Sequence, residues 1–134
     1  MNEKKFYDKP GFWILVGALN AGMSVSMGAY AAHMLYGKVS DVTLTTFYKG
    51  VKYQMYHGLA LILVSLLMIH SSSDLKMYKI VAWIFFIGII IFSGSMYLIV
   101  LAGINWVGYL TPIGGIGFVV AWVFMGYQAW KDFQ

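Results

Sequence analysis

Long uncharged stretches alternate with short charged ones along this chain. No charge occurs between Lys9 and Lys38. Pro10 and Gly11 open that stretch, and Phe12 to Tyr36 reads as a first membrane-spanning helix, since about 20 apolar residues cross the ~30 Å hydrocarbon core. Lys38 to Lys52 is a polar connector, with Ser40 or Asp41 as the expected N-cap of the next helix. A second uncharged run covers Tyr53 to Ser73. Its helix is expected to end near His70, with Ser71-Ser72-Ser73-Asp74 as the turn. From Ile80 to Trp130 no charge occurs at all. As one helix that run would be roughly 75 Å long, far more than a bilayer holds, so it must fold back. The break falls between Gly103 and Pro112, where Gly103, Asn105, Gly108 and Thr111-Pro112 cluster; Thr111 as N-cap before Pro112 is a well-formed helix start. The pattern predicts an all-α integral membrane protein, four transmembrane helices in an up-down bundle. One domain would cover 1–134, with helices at about 12–36, 42–70 (membrane span from about 53), 77–101 and 112–130. No internal repeat is visible, which gives an inverted-repeat transporter no support.

Composition agrees with the pattern. Of 134 residues, 60% are hydrophobic and 10% charged, against about 25% charged in soluble domains. Net charge is +4, but the lysines sit at the ends of apolar runs and form no basic and aromatic stripe. Nucleic acid is therefore not an expected partner. With no cysteine, disulfides, thiolate metal sites and cysteine nucleophiles drop out. Lys4 and Lys5 before an apolar run, with Ala29-Tyr30-Ala31, resemble a cleavable leader. The apolar run is too long for one, so an uncleaved first helix is expected. Lys4, Lys5, Lys9, Lys76, Lys79 and Lys131 fall at the end of the bundle that holds both termini, against Lys38, Lys49 and Lys52 at the other. That asymmetry places both termini in the cytoplasm of a cell whose plasma membrane the chain spans. Trp13, Trp83 and Trp130 would form the inner aromatic belt, and Tyr36, Tyr97, Trp106 and Tyr109 the outer one.

Small residues mark the packing faces. Gly17, Ala21, Ser24, Gly28 and Ala32 form one stripe of the first helix, and Gly114, Gly117 and Ala121 a similar one on the fourth. Tight packing inside one bundle is the plain reading; a dimerisation face is the other. Gly28→Leu is the expected disruptive change. The second helix carries a stripe of Thr46, Gly50, Tyr53, Gln54 and His57 that stays polar into the membrane. Buried polar groups there need partners, so the stripe should face the interior. Ser93, Ser95 and Tyr97 on the third helix, Thr111 at the break and His33 near the outer end of the first complete a candidate polar pocket in the outer half. Its alternative is an interhelical hydrogen-bond cluster. His33 and His57 are a thin pair of ligands for haem or a metal, and no cofactor is expected. No span contains an acidic residue, and nucleophile elbow, phosphate loop and HExxH motifs are missing, so no enzyme is expected.

Four segments carry a family resemblance. These are Gly28-Ala29-Tyr30-Ala31-Ala32-His33-Met34-Leu35, Tyr53-Gln54-Met55-Tyr56-His57-Gly58-Leu59-Ala60-Leu61, Phe92-Ser93-Gly94-Ser95 with Tyr97, and Thr111-Pro112-Ile113-Gly114-Gly115. In this order the chain resembles the small bacterial membrane proteins of domain of unknown function 423, also called uncharacterised protein family 0382, to which transmembrane protein 256 is related. The resemblance runs from about Gly11 to Trp130. Tyr30, Ala31 and Ala121 depart from the residues usual in the pattern. It implies a four-helix multi-pass protein and brings no activity, substrate or cofactor. Three functions stay open: a non-enzymatic protein that supports the envelope or a membrane partner, which includes a second copy of itself; a small-molecule or lipid carrier using the polar pocket; and a haem or redox subunit using His33 and His57.

Overall fold

A computed structural model describes residues 5–134, so Lys4 of the charge argument lies outside the described residues. Helix α1 spans Pro10–Tyr30 and runs without a break into a π-helical turn, Ala31–Leu35. Helices α2, α3 and α4 span Asp41–His70, Lys76–Ala102 and Thr111–Asp132. Short 3-10 turns occupy Phe6–Asp8 and Asn105–Leu110. All four helices are long and apolar enough to cross a membrane.

Local chemistry sets the ends. Pro10 starts α1, where its missing N–H costs nothing. Ser40 caps α2, its Oγ accepting from the Thr43 N–H at 3.2 Å. Gly103 closes α3 with φ +68°, the left-handed residue that lets the chain turn back. The expectation for Thr111 is corrected. It is not an N-cap but the first helical residue, at φ −58° and ψ −40°. The 3-10 turn before it already winds into α4, and its hydroxyl donates to the Gly108 carbonyl at 2.6 Å.

The close-packed pairs are α1–α2, α2–α3 and α3–α4, with a lighter approach of α2 to α4. Helix α2 thus packs closely on α1 and α3, and α3 closely on α2 and α4. Glycines set each contact. A Cβ on Gly17 would lie 2.6 Å from the Gly58 carbonyl oxygen, and one on Gly58 3.0 Å from the Gly17 oxygen. A Cβ on Gly50 would meet Met96 and Tyr97 at 3.0 Å, and one on Gly114 the Phe92 backbone at 2.9 Å. Backbones this near gain dispersion contacts that lipid cannot supply.

The stripe on α1 needs one change. Gly17 and Ser24 are buried and Ala21 and Gly28 half-buried, but Ala32 is exposed and Ala31 takes its place, fully buried. The spacing continues by three residues, not four, into the π-helical turn, where the Tyr36 N–H reaches the Ala31 carbonyl. On α4, Gly114 and Ala121 are buried and Gly117 is half-buried against Ile84.

Two apolar clusters result. The larger lies toward the termini and includes Trp13, Leu61, Val64, Tyr78, Phe85 and Phe118. The smaller, at the α1–α2 turn, holds Ala31, Leu35 and Phe47. Trp13 is thus a core residue rather than part of an aromatic belt. It is fully buried, meets Trp83 edge to face at 4.9 Å and donates to the Tyr7 carbonyl.

Candidate functional site: a polar layer between two apolar clusters

Between the two clusters lies a layer of polar side chains centred on α2. Gln54, His57 and Ser93 are all nearly inaccessible. They follow from the helical period: Gly50, Gln54, His57 and Gly58 share the face that α2 turns inward.

The layer divides into two sets. The first joins three helices. Tyr97 Oη donates to Gln54 Oε1 at 2.7 Å. Gln54 Nε2 donates to Asn20 Oδ1 at 3.3 Å and to the Met23 sulfur at 3.3 Å. Asn20 Nδ2 donates to the Val16 carbonyl at 2.9 Å. The direction of this chain is forced. A backbone carbonyl only accepts, so Asn20 must turn its NH2 to Val16 and its oxygen to Gln54. Gln54 then presents its NH2 to Asn20 and its oxygen to Tyr97, which must donate. Ser93 adds a second α2–α3 link, donating to the Gly50 carbonyl at 2.7 Å.

The second set faces α4. His57 Nδ1 lies 2.7 Å from the Tyr53 carbonyl, and Trp122 Nε1 donates to His57 Nε2 at 3.2 Å. An indole N–H only donates, so Nε2 must accept and Nδ1 carries the proton. The ring lies flat on Phe118, centroids 3.4 Å apart and planes 5° off parallel. Both nitrogens and one face of His57 are thereby engaged in a neutral imidazole.

The remaining residues of the expected pocket do not join. His33 is exposed on the π-helical turn. Tyr53 is partly exposed and packs on Phe92, centroids 4.5 Å apart. Ser95 is buried but stands outside the hydrogen-bonded set, and Thr111 bonds within its own turn. His33 and His57 do not converge, and among the described residues no three His, Cys, Asp or Glu come together as metal ligands.

Three participants went unread in the sequence. Asn20 is the amide that brings α1 into the first set; its polarity inside an apolar run is the available signal. Trp122 is the partner of His57. Asp132 is the third. Its carboxylate accepts from Ser71 and Ser73 at 2.8 Å and from Tyr78 and Gln128 at 2.9 Å. It ties the α2–α3 turn to the end of α4, and nothing in its surroundings along the chain announces that.

Comparison with known proteins agrees with this architecture. Residues 27–115 match the family model described as protein of unknown function (DUF423). A UPF0382 membrane protein of Staphylococcus aureus (strain bovine RF122 / ET3-1) is 44% identical over 119 residues, which cover 89% of this chain and 95% of the relative. UPF0382 membrane protein YwdK of Bacillus subtilis (strain 168) is 38% identical over 119 residues, covering 89% of this chain and 96% of its own. A third, from Staphylococcus epidermidis (strain RP62A), is 41% identical over 111 residues, covering 83% and 88%. No solved structure matches. The chain is a helical membrane protein and belongs to the DUF423 (UPF0382) family.

Proposed function

We propose that this chain is a non-enzymatic, multi-pass protein of the plasma membrane that works through its packed helical surface, supporting envelope integrity or holding a membrane partner. One observation carries the reading. Among the described residues, no buried side-chain nitrogen or oxygen lacks a hydrogen-bond partner. Gln54, Tyr97, Ser93 and His57 hold helices together, which leaves the bundle rigid and its outer surface free to act. Both termini are read as cytoplasmic. Lys5, Lys9, Lys76, Lys79 and Lys131 lie at one end, and the Asp8–Lys79 ion pair of 2.8 Å fixes the start of α1 beside the start of α3 there.

The test is complementation of a deletion strain, scored by survival of osmotic downshock, at matched protein levels. His57→Phe keeps the stack on Phe118 and should complement. Gly17→Leu, which drives a side chain into the Gly58 backbone, should not. Loss of function in His57→Phe at normal abundance would count against the reading. Alkaline phosphatase joined after Gln134 should be inactive, and active when inserted at Gly37.

A second reading, a lipid or small-molecule carrier, is favoured by a different observation. The Asn20–Gln54–Tyr97 set lines a groove between α1 and α3 that opens sideways along the bundle. Of the residues expected to form a pocket at the outer mouth, Gln54, Ser93 and Tyr97 line this groove, and His33, Tyr53, His57, Ser95 and Thr111 do not.

A further inference from the structure

At the end of the bundle that holds both termini, a recess of about 530 Å³ opens between the start of α3 and the last turns of α4. Lys76, Met77 and Ile80 line it from α3, and Gln128 and Lys131 from α4. Its polarity changes along α3. Asp74 and Lys76 stand at the start of the helix. Ile80 lies one turn further in, where a run without charge begins that lasts to Trp130. Tyr127 and Trp130 are exposed on the last turns of α4, as aromatic side chains are at a bilayer interface. The recess thus straddles the boundary between headgroups and hydrocarbon.

The floor of the recess is built in advance. The Asp132 carboxylate accepts from Ser73 at 2.8 Å and from Gln128 at 2.9 Å, besides Ser71 and Tyr78. Four donors occupy this acid, and two lining side chains are fixed by it. Asp74 Oδ1 accepts from the Lys76 N–H at 3.0 Å. The two lysines are left over. The ion pair formed at this end among the described residues is Lys79 with Asp8, and neither Lys76 nor Lys131 has one. The Lys131 ammonium lies 5.6 Å from the centre of the Tyr127 ring. The lining therefore carries two cations against the single carboxylate of Asp74.

We infer that this recess seats the headgroup of an anionic phospholipid, with its phosphodiester between Lys76 and Lys131 and the first carbons of its acyl chains on Met77 and Ile80. Charge and depth together select that occupant. A cationic mouth above an apolar wall suits a molecule that joins one negative charge to hydrocarbon at the interface. Free phosphate makes no use of Met77 and Ile80. A choline or ethanolamine group would bring another positive charge beside the two lysines.

The experiment uses the full chain in nanodiscs of equal parts phosphatidylglycerol and phosphatidylcholine with identical acyl chains. Lipids that stay on the protein after release are counted by native mass spectrometry. Phosphatidylglycerol should be retained in preference, and Lys76→Gln and Lys131→Gln should each lower that preference about fivefold, the effect of one basic residue near an anionic surface. Lys49→Gln with Lys52→Gln removes two charges at the opposite end and should leave the preference unchanged. Glycerophosphoglycerol, the headgroup without chains, should not displace the lipid at equal concentration. Undiminished preference in the Lys76 and Lys131 variants, or an equal loss in the Lys49 and Lys52 variant, would overturn the site. Displacement by glycerophosphoglycerol would overturn the lipid in favour of a soluble phosphodiester. Stronger retention of phosphatidylethanolamine, when it replaces phosphatidylcholine in the disc, would overturn the anionic assignment.

Discussion

Two glycines on the same face of α1 should respond oppositely to the same substitution. Gly17→Ala places a methyl group 2.6 Å from the Gly58 carbonyl oxygen and 2.8 Å from Ile62 Cγ1. The Ile62 side chain can turn aside; a carbonyl inside α2 cannot, so the helices must separate. Overpacking of this kind costs about 1–3 kcal/mol. The better helix propensity of alanine returns about 1 kcal/mol, leaving a net loss of up to about 2 kcal/mol. At Gly28 the nearest atom is Val51 Cγ1 at 3.5 Å, an ordinary contact. Gly28→Ala should therefore keep the propensity gain and be stabilised by up to about 1 kcal/mol. Gly28, expected from the sequence to reject leucine, should accept this much smaller side chain. The assay is reversible unfolding in mixed micelles with rising dodecyl sulfate, followed by far-ultraviolet circular dichroism. Equal stability of the two variants, or greater loss at Gly28, would refute the claim that α1 and α2 touch backbone to backbone at Gly17.

Other substitutions probe the polar layer and the ends. Gln54→Leu should destabilise by about 1–3 kcal/mol, because Tyr97 Oη and Asn20 Oδ1 lose their partner together; Gln54→Leu with Tyr97→Phe should cost less than the sum, and strict additivity in the cycle would show that no Gln54–Tyr97 bond forms. His57→Phe, keeping the stack but stranding the Trp122 N–H, should cost about 1 kcal/mol, and His57→Ala more, since it also opens a cavity; equal losses would remove the stack from the account. Asp132→Ala should raise amide hydrogen exchange in residues 71–78 and leave α1 unchanged; protection of that turn identical to wild type would show that the carboxylate does not hold it. Hydrogen bonding and charge from Lys79 hold the Asp8 carboxyl below its ordinary value of 3.8. A depressed folded pKa means that the pair contributes above the unfolded value and is lost as pH falls through the folded one, so its effect should be flat from pH 7 to 5 and vanish only below about 4. Asp8→Asn should abolish that acid dependence, and a transition near pH 6 in both proteins would assign it elsewhere.

Four helices were legible because the signals that break them are local. Charges bound the first two apolar runs, and the third is too long for one helix, so it had to turn at its glycines. Gly103 then does what its position required, adopting φ +68°. What could not be read is partner choice. The period of 3.6 places Gln54 and His57 on one inward face, but it does not say that Gln54 meets α1 and α3 while His57 meets α4. Those two residues are less than one turn apart and face different neighbours. The π-helical turn shows the same limit. Extrapolating the stripe past Gly28 by four residues selects Ala32; the backbone continues by three and buries Ala31. Asn20 sits among the small residues of a packing stripe, yet an amide in an apolar run needs a partner more than a glycine does.

The position of the polar layer suggests why it is there. Apolar side chains contact lipid nearly as well as they contact one another, so packing alone fixes helix register weakly in a bilayer. Glycine contacts fix distance, because only one separation brings backbones together without a clash. They leave sliding and rotation less constrained. The directed bonds from Tyr97 through Gln54 and Asn20 to Val16 remove that freedom, because each amide has one workable orientation and the first two links join α3 to α2 and α2 to α1. Neutral His57 does the same for α4, accepting from an indole that cannot reverse its role. Interhelical bonds in membranes contribute only about 0.6 kcal/mol each on average, so their main effect here is uniqueness of arrangement rather than strength. A bundle so fixed keeps the α1–α3 groove open at Gly94 instead of collapsing it.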